Sequence, residues 1–176
     1  VNDRMFAFNS GKKRSTAIIH KPDGSVRLLC KGAPEWVLKD CTHYLTNDGS
    51  IQPLTDTKRA EIDQHVINMA NNALRTLCLA HLDFAAGTLP SDWQENPPDA
   101  SKLVLDCIVG IIDPLRSDVV EAVRIAQGAG VTVRMVTGDN LNTACAIARQ
   151  CGILRDDGQA IEGPVFRNMT PAAVDE

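Results

Sequence analysis

The spacing of hydrophobic and polar residues changes several times along the chain, and each change marks an element. Ser15–His20 (STAIIH) and Ser25–Lys31 (SVRLLCK) are β-favouring runs separated by Lys21-Pro22-Asp23-Gly24. Proline presets φ and glycine accepts positive φ, so this segment predicts a turn and the two runs a hairpin. A short helix is expected from Pro34, where a missing N–H costs nothing, with Trp36, Val37 and Leu38 opening its apolar face. Asn47-Asp48-Gly49 reads as another turn. Ile62, Val66, Met69, Ala70, Ala73 and Leu74 recur at three and four residues. That spacing predicts the longest helix over about Asp56 to Leu74, capped by Thr55 or Asp56. A strand over Thr76–Phe84 follows. Gly87 to Ser101, with three prolines and Trp93, reads as a long surface loop.

The second half has a different pattern. Leu103–Ile112 (LVLDCIVGII) is almost continuously apolar, which predicts a strand buried on both faces. Asp113-Pro114 breaks it and marks a domain boundary. Val119, Val120, Val123 and Ala126 follow at helical spacing and stop at Gly128-Ala129-Gly130. Val131–Val136 predicts a strand, Thr137-Gly138-Asp139 a turn, and Leu141–Cys151 a second helix closed by Gly152. Helix, strand, tight turn and helix make a piece of α/β sheet, whereas the first half reads as antiparallel β with helices.

Composition narrows the classes. Of 176 residues, 44% are hydrophobic and 23% charged, the balance of a globular chain. A net charge of −4 argues against a nucleic-acid binder, whose footprint is basic. No apolar run approaches the roughly 20 residues that span a bilayer. The start, Val1-Asn2-Asp3-Arg4-Met5, carries no signal-peptide pattern and reads as a cut edge. Cys30, Cys41, Cys78, Cys107, Cys145 and Cys151 form no CxxC pair and do not cluster with His20, His43, His65 or His81. They read as buried, reduced thiols, and no metal site is expected.

The clearest candidate for chemistry is Val133-Arg134-Met135-Val136-Thr137-Gly138-Asp139-Asn140. An apolar run ends in a hydroxyl, a glycine and a carboxylate where a helix opens, and helix starts cradle anions. Thr137 could bind a phosphoryl oxygen, Gly138 let the backbone come close, and Asp139 hold a ligand hydroxyl. Equally, Asp139 or Asn140 could simply cap the helix. Lys12-Lys13-Arg14 follows Phe6 and Phe8, which alternation puts on one face. An aromatic there could stack on a base while the cations meet phosphates, or it could pack in the core. Lys31 before Gly32-Ala33-Pro34, and Arg75 at a helix-to-strand corner, read either as phosphate contacts or as ordinary surface residues. G-x-G-x-x-G is absent, and Gly11-Lys12-Lys13 falls short of a P-loop.

In order, these segments resemble the cytoplasmic region of P-type cation-transporting ATPases, most of all the plasma-membrane-type calcium pumps. The matching stretches are Phe8-Asn9-Ser10 with its basic followers, Lys31-Gly32-Ala33-Pro34-Glu35, Leu74–Ala80 (LRTLCLA), Gly110–Arg116 (GIIDPLR) and Val131–Asn140 (VTVRMVTGDN). They continue through Leu141-Asn142-Thr143-Ala144 to Cys151-Gly152-Ile153 and run co-linearly through nearly the whole chain. The resemblance implies an α+β nucleotide-binding domain with an antiparallel sheet over residues 1–112. Residues 113–176 would be part of an α/β, haloacid-dehalogenase-like phosphorylation domain, with Asp113-Pro114-Leu115-Arg116 as the hinge. It also assigns Leu103–Ile112 to the antiparallel sheet.

The same resemblance implies roles. Phe8 would stack on adenine, Lys31 lie deep in the nucleotide pocket, and Gly32 and Ala33 shape its wall. Lys13 would be a cation beside the nucleotide, a part that Lys12 or Arg14 could also take. Arg75 would meet the phosphates. Thr137 would bind the transferred phosphoryl group, with Gly138 and Asp139 completing that site, and Asp113 and Arg116 would organise the hinge. Ser10 stands where calcium-pump relatives often carry arginine, so the resemblance implies no arginine contact to phosphate from that position.

ATP and Mg²⁺ are the implied ligands, with the metal held outside this chain. The implied partners are the actuator and transmembrane domains of a pump at the plasma membrane, with the chain itself monomeric on the cytoplasmic side. Neither the D-K-T-G-T segment holding the phosphorylated aspartate nor the T-G-D-G-x-N-D segment holding Mg²⁺ occurs here; Asp56-Thr57-Lys58 has the wrong order. The expectation is therefore nucleotide binding without turnover, since phosphoryl transfer needs nucleophile, metal and γ-phosphate in line. The alternatives are a sodium/potassium or proton pump of the same superfamily, a stand-alone phosphatase, for which no Asp-x-Asp pair is present, and a non-catalytic interaction module.

Overall fold

In a computed structural model, which describes residues 3–98, 100–170 and 173, the Lys21–Gly24 turn closes the expected hairpin. Gly24 sits at φ 81° and its N–H donates to the Lys21 carbonyl. Strands β2 (Arg14–His20) and β3 (Val26–Gly32) then pair antiparallel along their length. Before them comes β1 (Arg4–Asn9); after them α1 (Pro34–Asp40), β4 (Cys41–Leu45), β5 (Ile51–Pro53) and α2 (Asp56–Asn71). Then follow β6 (Arg75–Phe84), β7 (Leu103–Ile111), α3 (Val119–Gly128), α4 (Leu141–Gln150) and α5 (Gly163–Arg167).

Among the described residues seven strands form one sheet in the order β1-β2-β3-β6-β7-β4-β5. The neighbours β1/β2, β2/β3, β3/β6 and β4/β5 are antiparallel, but β4 and β7 run parallel, so the sheet is mixed and the antiparallel expectation is corrected. A parallel pair requires a long crossover, and this one carries α2 and β6 between its strands.

Alternation along β3 sorts the sheet's faces. Val26, Leu28, Cys30 and Gly32 are buried, while Arg27, Leu29 and Lys31 are not. The buried set packs with Ile18 of β2, Val37 and Leu38 of α1, Ile62 of α2, and Leu103 and Leu105 of β7. Each large side chain sealed in this way contributes about 1.5–3 kcal/mol. Leu89 and Trp93 of the long loop pack against the same cluster. On the other face Arg27 lies opposite Asp83 and donates to both carboxylate oxygens at 2.7 Å, and Lys21 adds a third bond. These cations hold the Asp83 carboxyl well below the usual carboxylate range.

Other expectations need correction. Leu103–Ile112 is not sealed on both faces: only Leu103 and Leu105 are buried, and Ile111 and Ile112 are exposed. In the plane of the sheet, β4 pairs with β7 only along Leu103–Leu105, and the exposed residues lie beyond that stretch. Val131–Val136 forms no strand. A strand exists through a neighbour's hydrogen bonds, and among the described residues none pairs with this segment, leaving Val136 97% exposed. Helix α2 ends at Asn71, short of Leu74, because Ala73 takes φ 60° and closes the helix end. Cys30, Cys41, Cys78 and Cys151 are buried as expected, and burial pushes the Cys30 thiol up to about 11. Cys107, by contrast, is exposed.

The chain divides into two compact units, Val1–Val66 with Thr76–Ile111, and Ile67–Arg75 with Ile112–Glu176. The first holds most of the sheet. In the second, the segment from Ile112 to Thr170 forms only helices among the described residues. No helix among the described residues is long and apolar enough to cross a membrane.

Candidate functional site

In the first unit the candidates gather where β1, β2 and β3 end together. Asn9 lies opposite Arg14, and Arg14 opposite Gly32. The β1 register shifts between Phe6 and Asn9, which breaks the alternation expected of Phe6 and Phe8. Phe6 packs against the core, whereas Phe8 stands 62% exposed. An aromatic ring left in water beside a basic turn is available for stacking.

Asn9 shapes that turn. Its side-chain oxygen accepts the N–H groups of Gly11 and Lys12, and its carbonyl accepts those of Lys12 and Lys13. The sequence offers Asn9 only as a motif member; asparagine's habit of bonding the backbone two residues on is the signal that could have found it. Lys13 takes φ 51°, and its carbonyl accepts the Ala33 N–H at 3.2 Å. Gly32 makes this approach possible, since a Cβ there would lie 2.5 Å from the Lys13 carbonyl oxygen. Thus Gly32 and Ala33 hold the turn beside β3.

Lys31 is exposed and lies opposite Ser15 on β2, on the face away from the helices. Two strand spacings put the β1 end about 10 Å from Lys31. Arg14 alternates with Thr16 and Ile18 onto the other face and forms an ion pair with Asp40. Arg14 thus faces away from Lys31, while Lys12 and Lys13 lie exposed in the turn.

In the second unit the geometry starts from Asn140. Its side chain accepts the Thr143 N–H at 2.9 Å and caps α4, which answers the capping question and leaves Asp139 free of that task. Thr143, on the first turn and only 1% exposed, donates its hydroxyl to the Leu74 carbonyl at 3.1 Å. The next residue, Arg75, is thereby brought to Asp139, with Nη2 3.1 Å from the carboxylate, and lies 3.7 Å from Asp113. Thr137 turns inward on the same carboxylate: its hydroxyl accepts the Asp139 N–H and donates to Asp139 Oδ2, both at 3.1 Å. Thr143 had no assigned role in the sequence. Its signal is a hydroxyl in the first turn of an amphipathic helix.

Arg75, Asp113, Arg116, Thr137 and Asp139 line one cleft of about 300 Å³, whose apolar wall includes Leu115, Val119 and Met135. Gly138 lies in the turn between Thr137 and Asp139, with open space where a Cβ would be. Arg116 pairs with Asp118 at 3.4 Å rather than with Asp113. Two arginines and two aspartates on the cleft balance in formal charge. Among the described residues no three His, Cys, Asp or Glu converge to hold a metal ion.

Residues 2–118 match the family model for the P-type ATPase, cytoplasmic domain N, and the chain belongs to the P-type ATPase family. It is 49% identical over 161 residues to calcium-transporting ATPase 2, plasma membrane-type, of Arabidopsis thaliana, an alignment covering 91% of this chain and 16% of that protein. Calcium-transporting ATPase PAT1 of Dictyostelium discoideum is 46% identical over 171 residues, covering 97% of this chain and 15% of that protein. Plasma membrane calcium-transporting ATPase 3 of Homo sapiens is 43% identical over 166 residues, covering 93% and 14%. The chain thus spans about one-sixth of the length of these relatives.

Proposed function

We propose that this chain is the adenine-nucleotide-binding portion of a calcium-transporting P-type ATPase of the plasma-membrane type. The observation that carries this is Phe8, an aromatic ring left largely in solvent at the end of a strand, beside Lys12-Lys13 and two strands from exposed Lys31. The adenine ring would stack on Phe8, and the ammonium groups of Lys13 and Lys31 would meet the anionic end of the nucleotide. Gly32 and Ala33 hold the turn that carries Lys13.

Residues 113–176 act, in this reading, as part of a haloacid-dehalogenase-like phosphorylation domain. The hydroxyl of Thr137 and the guanidinium of Arg75 would bind phosphoryl oxygens, each exchanging its bond to Asp139 for one to the ligand. Asp113 and Asp139 would remain as carboxylates near the phosphates, and Arg116 would support the hinge. Mg²⁺ fits no cluster of this chain's own described side chains and would arrive with the nucleotide. Without a D-K-T-G-T aspartate the chain binds ATP and does not turn it over. Export of Ca²⁺ across the plasma membrane would belong to the whole pump, with its actuator and membrane-spanning domains as partners.

The test is a titration with ATP and with AMP in the presence of Mg²⁺, followed by backbone amide shifts on the wild type and on Lys31→Ala. Shifts around Phe8, Lys13 and Lys31 that weaken about tenfold or more in the variant are the expected result. ATP-specific shifts at Thr137–Asp139 would support the phosphate assignment. An unmoved wild-type spectrum at millimolar ATP would overturn the reading in favour of a non-nucleotide interaction module.

A further inference from the structure

Arg14, the last of three adjacent cations, and Asp40, which no motif contains, meet on the helix-covered face of the sheet. Arg14, the first residue of β2, pairs with Asp40, the last residue of α1, and their side chains are 20% and 35% exposed. A pair this shielded is screened less than one in open water. Arg14 lies directly opposite Gly32, where an added Cβ would sit 2.8 Å from its own Cβ. Its neighbour Lys13 is held by the Ala33 N–H and by its own N–H to the Asn9 carbonyl at 2.7 Å. Beyond the β2–β3 ladder, which ends with Arg14 opposite Gly32, the segment from Ala33 through α1 to Asp40 is therefore fastened to the β1–β2 turn backbone to backbone at Ala33 and charge to charge at Asp40.

We propose that Arg14 and Asp40 are positioning residues for the nucleotide: their ion pair, on the helix-covered face of the sheet, fixes the turn so that Lys13 stands beside Lys31 on the opposite face. This rests on the reading of Phe8, Lys13 and Lys31 as the nucleotide site. Neither Arg14 nor Asp40 touches the ligand; they act through the backbone of Lys13. A free turn would spread Lys13 over many orientations, and its ammonium would be found less often where the phosphates lie. The end of α1 has a separate anchor in Arg59, which donates to the carbonyls of Leu38 and Cys41. Losing the ion pair therefore loosens the turn without releasing the helix.

The experiment uses Asp40→Asn, Arg14→Asp, Asp40→Arg and the double exchange Arg14→Asp with Asp40→Arg. Each is titrated with ATP and with AMP in Mg²⁺, and its thermal midpoint is measured. An ion pair of about 1 kcal/mol corresponds to roughly fivefold in affinity. Each single variant is expected to bind ATP about threefold to tenfold more weakly and AMP little changed, with midpoints within a few degrees of wild type. The double exchange is expected to restore the ATP preference, a rescue that general destabilisation would not give. Single variants that bind ATP like the wild type, or a double exchange as weak as the singles, would overturn the proposal.

If the wild type itself binds no nucleotide, the functional reading fails. The clamp is then judged in the free protein by hydrogen exchange at the Ala33 amide, the donor to Lys13. Faster exchange in Asp40→Asn that returns to the wild-type rate in the double exchange upholds the clamp. Exchange unchanged in Asp40→Asn overturns it.

Discussion

Single residues set the candidate site, and Gly32 is the most exacting of them. Its φ is not the constraint; space is. An added methyl group would meet the Lys13 carbonyl at 2.5 Å and the Arg14 backbone at 2.9 Å, and neither is the loose end of a side chain. Gly32→Ala is therefore expected to lower stability by about 1–3 kcal/mol, read as a lower urea midpoint at unchanged slope. It should also separate the Ala33 amide from its acceptor and weaken any ligand that depends on Lys13. A fully wild-type midpoint would show that the turn can move away freely. The sequence made this residue visible as part of a motif, yet its reason lies in a partner nineteen positions earlier that only the register of β2 on β3 supplies. The same holds for Arg14. On paper it is one of three adjacent cations, and alternation along a strand, once the strand's ends are known, sends it to the other face.

At the scale of elements, most of what was legible came from local chemistry. The hairpin, its Pro-Asp-Gly turn, the helix opening at Pro34 and the helices α2, α3 and α4 all follow from spacing and caps contained within a dozen residues. Boundaries shifted where one backbone angle decided the matter. Helix α2 stops because Ala73 adopts φ 60°, with its N–H on Ala70 and the Leu74 N–H on the Met69 carbonyl. Nothing in an alanine announces that conformation. Ala73→Gly should relieve the strain and raise stability by about 0.5–1 kcal/mol, measured as an increase in thermal midpoint. A decrease would mean that the added freedom of the unfolded chain outweighs the relief. The strand expected at Val131–Val136 failed for a different reason. Its composition is apolar, but strand formation is a property of pairs, and composition carries no information about the second member.

On the scale of the molecule, the two units are built to different degrees. The first encloses a continuous core from Ile18 and Leu28 to Leu103 and Leu105. In the second the buried apolar side chains are small or few, Ala70, Val123, Ala148 and Cys151, while Ile125, Val131, Val136 and Phe166 face water. Opening free energies should follow this division. Amide exchange is expected to be slowest in β3 and β6 and faster by orders of magnitude between Ile112 and Thr170. Equal protection in both units would contradict it. The mixed sheet, unlike the individual helices, was not legible in the sequence, because the register of β7 on β4 joins residues about sixty positions apart. That register also decides the order of assembly. Among the described residues the β4–β5 hairpin hydrogen-bonds to the sheet only through β7, so it is complete in sequence by Pro53 but has no place to dock until Leu103–Leu105 have been made. On a ribosome adding about 5–20 residues per second, this leaves an unpaired strand edge waiting for seconds. Long-range closure of this kind makes folding slow, and it singles out the interval between residues 53 and 103 as the period in synthesis when a chaperone would matter most.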